Sequence, residues 1–157
     1  LKDQEKQALV TSLRLLAATP KSRRLLEQKL EEKGYSRESI RRVADELEAR
    51  GLLNDREFAR GVFQSLLGRR RSGRRKIAFE LERKGVPQSL IEEILEGYAL
   101  EEEKEKAEEL AREKWERWEK LERSKRRKKV YDLLVRRGFD FELSRRVTNE
   151  VARDAHP

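Results

Sequence analysis

The 157-residue chain has no cysteine and no methionine, and its one histidine, His156, stands beside the last residue. Without thiols there can be no disulfide and no thiolate nucleophile. A single terminal histidine leaves serine–histidine catalysis and the usual zinc sites without their ligands. No apolar run approaches the roughly 20 residues that span a bilayer, and no secretory leader is visible. A cytoplasmic protein with no membrane contact, no metal and no cofactor is therefore expected. Missing sulfur amid dense Glu, Lys and Arg is also a pattern of thermophile proteins.

What is present is charge. Charged residues make up 45% and hydrophobic residues 36% of the chain, so apolar area is too scarce for one large core. Several small cores in a row, each module leaning on its neighbour, fit better. Disorder is disfavoured because the charges are mixed in sign and interleave with apolar residues at helical spacing. Lys and Arg number 39 against 31 Asp and Glu, a net charge of +8. Such a balance suits a polyanionic partner, either nucleic acid or an acidic protein face.

One phrase recurs three times: Leu30-Glu31-Glu32-Lys33-Gly34-Tyr35, Leu81-Glu82-Arg83-Lys84-Gly85-Val86, and Leu134-Val135-Arg136-Arg137-Gly138-Phe139. The glycines lie 51 and 53 residues apart. Each phrase has the form of a helix end, with basic side chains in the last turn, glycine in the left-handed position and an apolar residue after it. Tyr35 and Phe139 should pack back on the preceding helix. A repeat of this length means one small module used three times. The boundaries read as 1–53, 54–98 and 99–157.

Nearly every segment has helical period, and almost nothing reads as a strand. In the first module Leu9, Leu13 and Leu16 form one stripe, Leu25, Leu26 and Leu30 a second, and Ile40, Val43, Ala44 and Leu47 a third. Ser22 and Ser36 are placed to cap the second and third helices. Asn54, with Glu57 three residues on, makes a capping-box pattern at the next start. Phe58, Val62, Phe63, Leu66 and Leu67 stripe that helix, Gly68–Gly73 is a loop, and Pro87 marks another start. From Leu100 to Leu121 nothing breaks a helix, so the third module opens with a longer one. Trp115 and Trp118 recur there three apart and should fill that module's interior, with base stacking as the alternative. The fold class is all-α: three tandem tri-helical, helix-turn-helix-like repeats in an elongated, curved array.

Catalysis has little to stand on. Gly68-Arg69-Arg70-Arg71-Ser72-Gly73-Arg74-Arg75 nearly spells a P-loop, but arginine fills both the Lys and the Ser/Thr positions and no strand precedes it. Carboxylates such as Glu102 and Glu105 lack a pocket-forming context. The chain reads as a non-enzyme.

Basic clusters are the stronger signal. Arg69, Arg70, Arg71, Arg74, Arg75 and Lys76 fall within eight residues at the start of the second module's middle helix. Lys125, Arg126, Arg127, Lys128 and Lys129 hold the equivalent place in the third, and Lys21, Arg23 and Arg24 in the first. Arg23, Arg74 and Arg127 each lie eleven residues before their module's stop glycine. Cations at a helix N-terminus are mildly unfavourable for the helix, while its free N–H groups welcome an anion. These fourteen residues are the candidate polyanion-binding set. From Glu92 to Glu122 the sign reverses, with 13 acids against 6 bases.

The order and spacing of these features resemble the RecX family, regulators of the RecA recombinase. The likeness is carried by Gly51-Leu52-Leu53-Asn54-Asp55 with Phe58-Ala59, by Gly73, Ile77, Glu80-Leu81 and Lys84-Gly85-Val86, by Ser22, Leu25, Lys29-Leu30 and Lys33-Gly34, and by Arg136-Arg137-Gly138-Phe139. The third module departs from the pattern: Ser144 and Thr148 stand where the other modules carry Ile40 or Ile91 and Ala44 or Leu95. Leu143 and Phe141 are expected to compensate. The resemblance implies a monomer that binds RecA and its filament on single-stranded DNA, and is compatible with direct DNA contact. It would inhibit ATP hydrolysis, strand exchange and filament growth. The candidate set would then face RecA or DNA, and reversing Arg74, Arg75 and Lys76 to glutamate should abolish inhibition while keeping helical content.

Two other classes fit part of the pattern. A helix-turn-helix transcription factor could read a major groove with Arg37, Arg41 and Arg42, but the corresponding helix of the second module carries Glu92, Glu93 and Glu96. An RNA-binding or other non-specific nucleic-acid-binding protein could use the same basic track.

Overall fold

A computed structural model describes residues 2–155; Leu1, His156 and Pro157 lie outside the described residues. Among the described residues there are nine α-helices and no strand: α1 (Lys2–Ala18), α2 (Arg23–Glu32), α3 (Arg37–Ala49), α4 (Asp55–Leu67), α5 (Arg74–Arg83), α6 (Gln88–Glu96), α7 (Leu100–Arg117), α8 (Arg123–Arg136) and α9 (Phe141–Asp154). They make three tandem three-helix repeats. By contacts the chain divides into two compact units, residues 1–62 with 81–91, and residues 63–80 with 92–157. The residues of α4, α5 and α6 are thus shared between the two.

Unit 1 is built on α1, α2 and α3, which pack on one another. Ser22 caps α2 by accepting from the Leu25 N–H at 3.2 Å, and Ser36 caps α3 by accepting from Ser39 at the same distance. Each cap contributes about 1 kcal/mol. The core holds Leu26, Leu30, Ile40, Val43, Ala44, Leu47 and Leu53, each larger aliphatic side chain adding roughly 1.5–3 kcal/mol on burial. The α1 face differs from the leucine stripe read in the sequence. Its centre is Ala8 and Ser12, both fully buried, while Leu9 and Leu16 flank it and Leu13 is 42% exposed. Small residues let the helix backbone approach its neighbours closely, and Ser12 satisfies its hydroxyl on the Ala8 carbonyl at 2.7 Å. Tyr35 packs back after Gly34, its hydroxyl 3.0 Å from Thr11 Oγ1.

Unit 2 is centred on α7, α8 and α9. Ala107, Leu110, Ala111, Trp115, Val130, Leu134, Phe139, Leu143, Val147 and Val151 form its core. Two expectations change here. α7 stops at Arg117 rather than running to Leu121, and Trp118 takes the C-cap with φ −102° and ψ 31°. Trp115 is therefore core, whereas Trp118 only packs against it. In α9, Ser144 and Thr148 are buried and Leu143 fills space beside them, but Phe141 is 58% exposed and takes no part in the core. Ser144 Oγ donates to the Phe139 carbonyl at 3.3 Å, so one of the polar replacements is accommodated by a hydrogen bond.

Candidate polyanion interface

In two of the three modules the repeated arginine marks a joint; Arg127 instead lies in the second turn of α8, which begins at Arg123, so the third basic cluster is not at a helix start. In unit 1 the start of α2 meets the end of α5. Ser22 Oγ donates to the Lys84 carbonyl at 2.6 Å, and the Arg23 N–H donates to Asp55 Oδ1 at 2.8 Å. In unit 2 the start of α5 meets the end of α8. There the Gly73 N–H donates to the Arg137 carbonyl at 2.8 Å and the Arg75 N–H to the Gly138 carbonyl at 3.1 Å. The Arg74 N–H donates to Glu103 Oε2 at 2.8 Å. A free helix N-terminus is thus satisfied twice by the same means, the end of the next repeat's middle helix plus a carboxylate from its first helix.

The approach is close enough to require glycine. A Cβ on Gly85 would lie 2.9 Å from Ser22 Oγ and from Arg24 Cβ, and one on Gly138 would overlap the backbone nitrogen and Cβ of Lys76. Both glycines also have positive φ, +82° and +97°.

The arginine side chains then diverge. Arg23 pairs with Glu27 at 3.3 Å, with Asp45 at 2.7 Å and with Glu48. Burial alone would lower its pKa, but hydrogen bonds to Asp45 and Glu48, with the Glu27 charge, carry it above the ordinary range. Arg74 pairs with the buried Glu103 at 2.8 Å and donates to the carbonyls of Tyr98, at 2.5 Å, and Leu95, at 3.3 Å. Tyr98 lies under that guanidinium and donates its hydroxyl to the Ser72 carbonyl at 3.0 Å. Burial pushes the phenol pKa up, the Glu103 and Glu102 charges push further, and Arg74 opposes them. Reversing Arg74 would set two carboxylates together, so the triple reversal expected to spare the fold would also break this ion pair.

Other members of the candidate set also have internal partners. Lys21 Nζ donates to the Leu15 carbonyl at 3.1 Å and to Thr19, closing the end of α1. Arg126 stacks 3.9 Å from the Trp115 ring centroid and donates to its carbonyl. Arg127 donates to Asn149 Oδ1, Lys128 pairs with Asp132 at 2.9 Å, and Lys129 sits 4.4 Å over Trp118. Lys76 pairs with Glu80 at 3.6 Å. Arg75 lies 5.4 Å over the exposed Phe141 ring. Arg71 pairs with Glu113, whose carboxyl that hydrogen bond holds below the usual range. Exposed and without a paired carboxylate among the described residues are Arg24, Arg69, Arg70, Arg75, Lys125 and Lys129. Lys21, Arg23 and Arg24 belong to unit 1 and the rest of the set to unit 2.

Two functional candidates escaped the sequence reading. Arg136 and Arg137 counted as the basic last turn of a helix and as part of the family likeness, not as polyanion contacts, yet Arg137 donates to the Arg70 carbonyl and joins the 69–71 cluster. The available signal was the doubled arginine before Gly138, where the other modules have Glu32-Lys33 and Arg83-Lys84. On the alternative reading helix, Arg42 pairs with Glu5 at 3.1 Å and Glu38 at 2.9 Å. Arg37 and Arg41 share a hollow with Glu27, Glu31 and Glu38. Carboxylates placed there would repel phosphates.

No helix among the described residues is long and apolar enough to cross a membrane. Family profiles for the first, second and third three-helix domains of RecX match residues 8–47, 54–95 and 101–148. The regulatory protein RecX of Chlorobaculum tepidum is 34% identical over 92% of this chain and 88% of its own length. That of Chlorobium phaeobacteroides is 31% identical over 95% and 96%. The crystal structure of RecX from Lactobacillus salivarius superposes with a TM-score of 0.82 at 21% identity, covering 96% of this chain and 98% of that one. With three matching domains in order on a shared three-repeat architecture, the chain belongs to the RecX family of regulatory proteins.

Proposed function

We propose that this protein regulates homologous recombination and DNA repair by binding the RecA recombinase and its filament on single-stranded DNA. Binding inhibits ATP hydrolysis, strand exchange and filament growth. The observation that carries the reading is the match of all three family domains, in order, over most of the chain. The chemistry supports it: three tandem repeats multiply weak contacts into avidity. Exposed cations at Arg24, Arg69, Arg70, Arg75 and Lys125 suit DNA phosphates or acidic protein faces. The acidic residues of α7 offer the opposite sign to a second surface, which sets orientation and on-rate more than affinity. A RecA ATPase assay on single-stranded DNA, with this protein titrated from well below to equal RecA, tests the reading. Substoichiometric inhibition is the expected result. Full activity at equimolar protein, with folding verified by circular dichroism, would overturn it in favour of a plain nucleic-acid binder.

A further inference from the structure

The loop between α4 and α5 carries charge that the chain leaves unbalanced. Arg137, at the C-cap of α8, donates its guanidinium to the Arg70 carbonyl, while its own carbonyl accepts from Gly73. Arg70, Arg71 and Arg137 are thereby gathered at one place, with Arg136 adjoining. Among the described contacts of this cluster the carboxylate is Glu113, and it is engaged by Arg71. Four guanidiniums against one carboxylate is an unusual local balance in a chain with 31 acids. Burial holds the Arg137 pKa below its ordinary value, and the charges of Arg70, Arg71 and Arg136 hold it lower still against the pull of Glu113.

The loop is also built rather than loose. Ser72 N–H donates to the Leu66 carbonyl at 3.0 Å and Gly68 N–H to Gln64 at 3.0 Å. Between those ties Arg71 has φ +48°, the one positive φ among the described non-glycine residues. Such a conformation is strained for a residue other than glycine and persists where the surroundings impose it, often at ligand clamps. Here it goes with cations that repel one another, two costs that a bound anion would offset.

We infer that Arg70, Arg71, Arg136 and Arg137 form a binding site for the phosphodiester backbone of single-stranded nucleic acid, with Glu113 as its internal counter-charge. Guanidinium forks match phosphate oxygens in geometry. A single protein carboxylate would leave the site cationic, whereas consecutive phosphates deliver several charges in sequence. Arg137 is a positioning residue as well, since it fixes Arg70 through the carbonyl. The inference deepens the regulatory reading above and rests on it for its setting, naming the filament's own strand as ligand.

Fluorescence anisotropy of a labelled oligothymidylate, without recombinase, tests it. Arg70 and Arg136 are exposed, so the double variant Arg70→Glu with Arg136→Glu should keep its helical content. We expect it to bind at least about tenfold more weakly, with a shallower salt dependence by about 1–2 in the log–log slope. Arg14→Glu with Arg60→Glu makes the same charge change at exposed positions in unit 1 and should cost less than about threefold. Glu113→Gln should act in the opposite direction and tighten binding about two- to threefold. Equal losses in the two double variants, or no loss at Arg70 and Arg136, would overturn the site. If the site variant loses the strand but the wild type leaves RecA ATPase untouched, the site stands and the regulatory reading falls. If the wild type inhibits RecA and the site variant binds the strand normally while losing inhibition, the cluster faces acidic protein and the phosphate assignment is overturned.

Discussion

At the start of α2 the donor to the next helix end is a side chain, Ser22 Oγ on the Lys84 carbonyl; at the start of α5 it is the backbone, Gly73 N–H on the Arg137 carbonyl. The first residue of each helix has its N–H bonded to a carboxylate, Asp55 in one joint and Glu103 in the other, both at 2.8 Å. Replacing serine by glycine brings the second pair of backbones closer, close enough that Gly73 and Gly138 are jointly required: a Cβ on Gly73 would stand 2.5 Å from the Gly138 carbonyl carbon. The guanidiniums then part company. Arg23 reaches acids of α2 and α3 near the surface, while Arg74 closes a ring of Glu103, Leu95 and Tyr98 beneath it. What the two joints share is a helix start docked on the next helix end with its first N–H bonded to a carboxylate, while the charge of the arginine is used differently each time.

The largest expected effect separates those two arginines. In Arg74→Glu the buried Glu103, 4% exposed, loses its partner and gains a like charge. Breaking a buried pair from one side costs about 3–5 kcal/mol. Arg23→Glu disrupts a network whose Asp45 side chain is 62% exposed and should cost about 1 kcal/mol. Urea midpoints of the two variants measure the difference; equal losses would mean that the Arg74 ring is no more protected than the Arg23 network.

A second pair of variants isolates the docking itself. Gly138→Ala incurs both the positive φ and a collision with the Lys76 backbone, roughly 3 kcal/mol or more when the two penalties combine. Gly34 has φ +91° but nothing within 4 Å of its would-be Cβ, so Gly34→Ala should cost only about 1–2 kcal/mol. The gap between them is the close approach alone. Thermal melts giving the same loss for both would show that the joint yields easily and that conformation was the whole requirement.

These joints explain what the sequence could and could not disclose. Three stop glycines, the caps Ser22 and Ser36, and helical periodicity are local signals, and they sufficed for a three-repeat all-α fold. Counting eleven residues back from each glycine falls on the first residue of α2 and of α5 but inside α8, and says nothing of Asp55 and Glu103, which arrive from 32 and 29 residues away. A cation's partner is a tertiary fact. The α1 stripe went astray because Ala8 and Ser12 are too small to stand out among leucines, though smallness is what buries them. α7 ends early because Trp118 leaves helical geometry to lie against the core, a preference that propensity does not register. Arg137 was hidden because its contact with Arg70 spans 67 residues.

The smallest expected effect is chemical and belongs to one joint only. Tyr98 is 1% exposed, its hydroxyl donates to the Ser72 carbonyl, and burial raises its pKa. Ordinary tyrosines ionise near pH 10. Above that, the unfolded chain releases this proton while the folded chain keeps it, so the folded state binds more protons and stability falls as pH rises. The slope from this one group reaches at most about 1.4 kcal/mol per pH unit, and below the ordinary range it contributes none. Tyr98→Phe removes the titrating group and one hydrogen bond, costing about 1 kcal/mol at neutral pH. Its stability should then decline less steeply than the wild type's in urea titrations carried from about pH 9 to 11. Parallel declines would mean that the phenol reaches water in the folded state and that the α5–α8 joint opens as readily as the α2–α5 joint, which carries no such group.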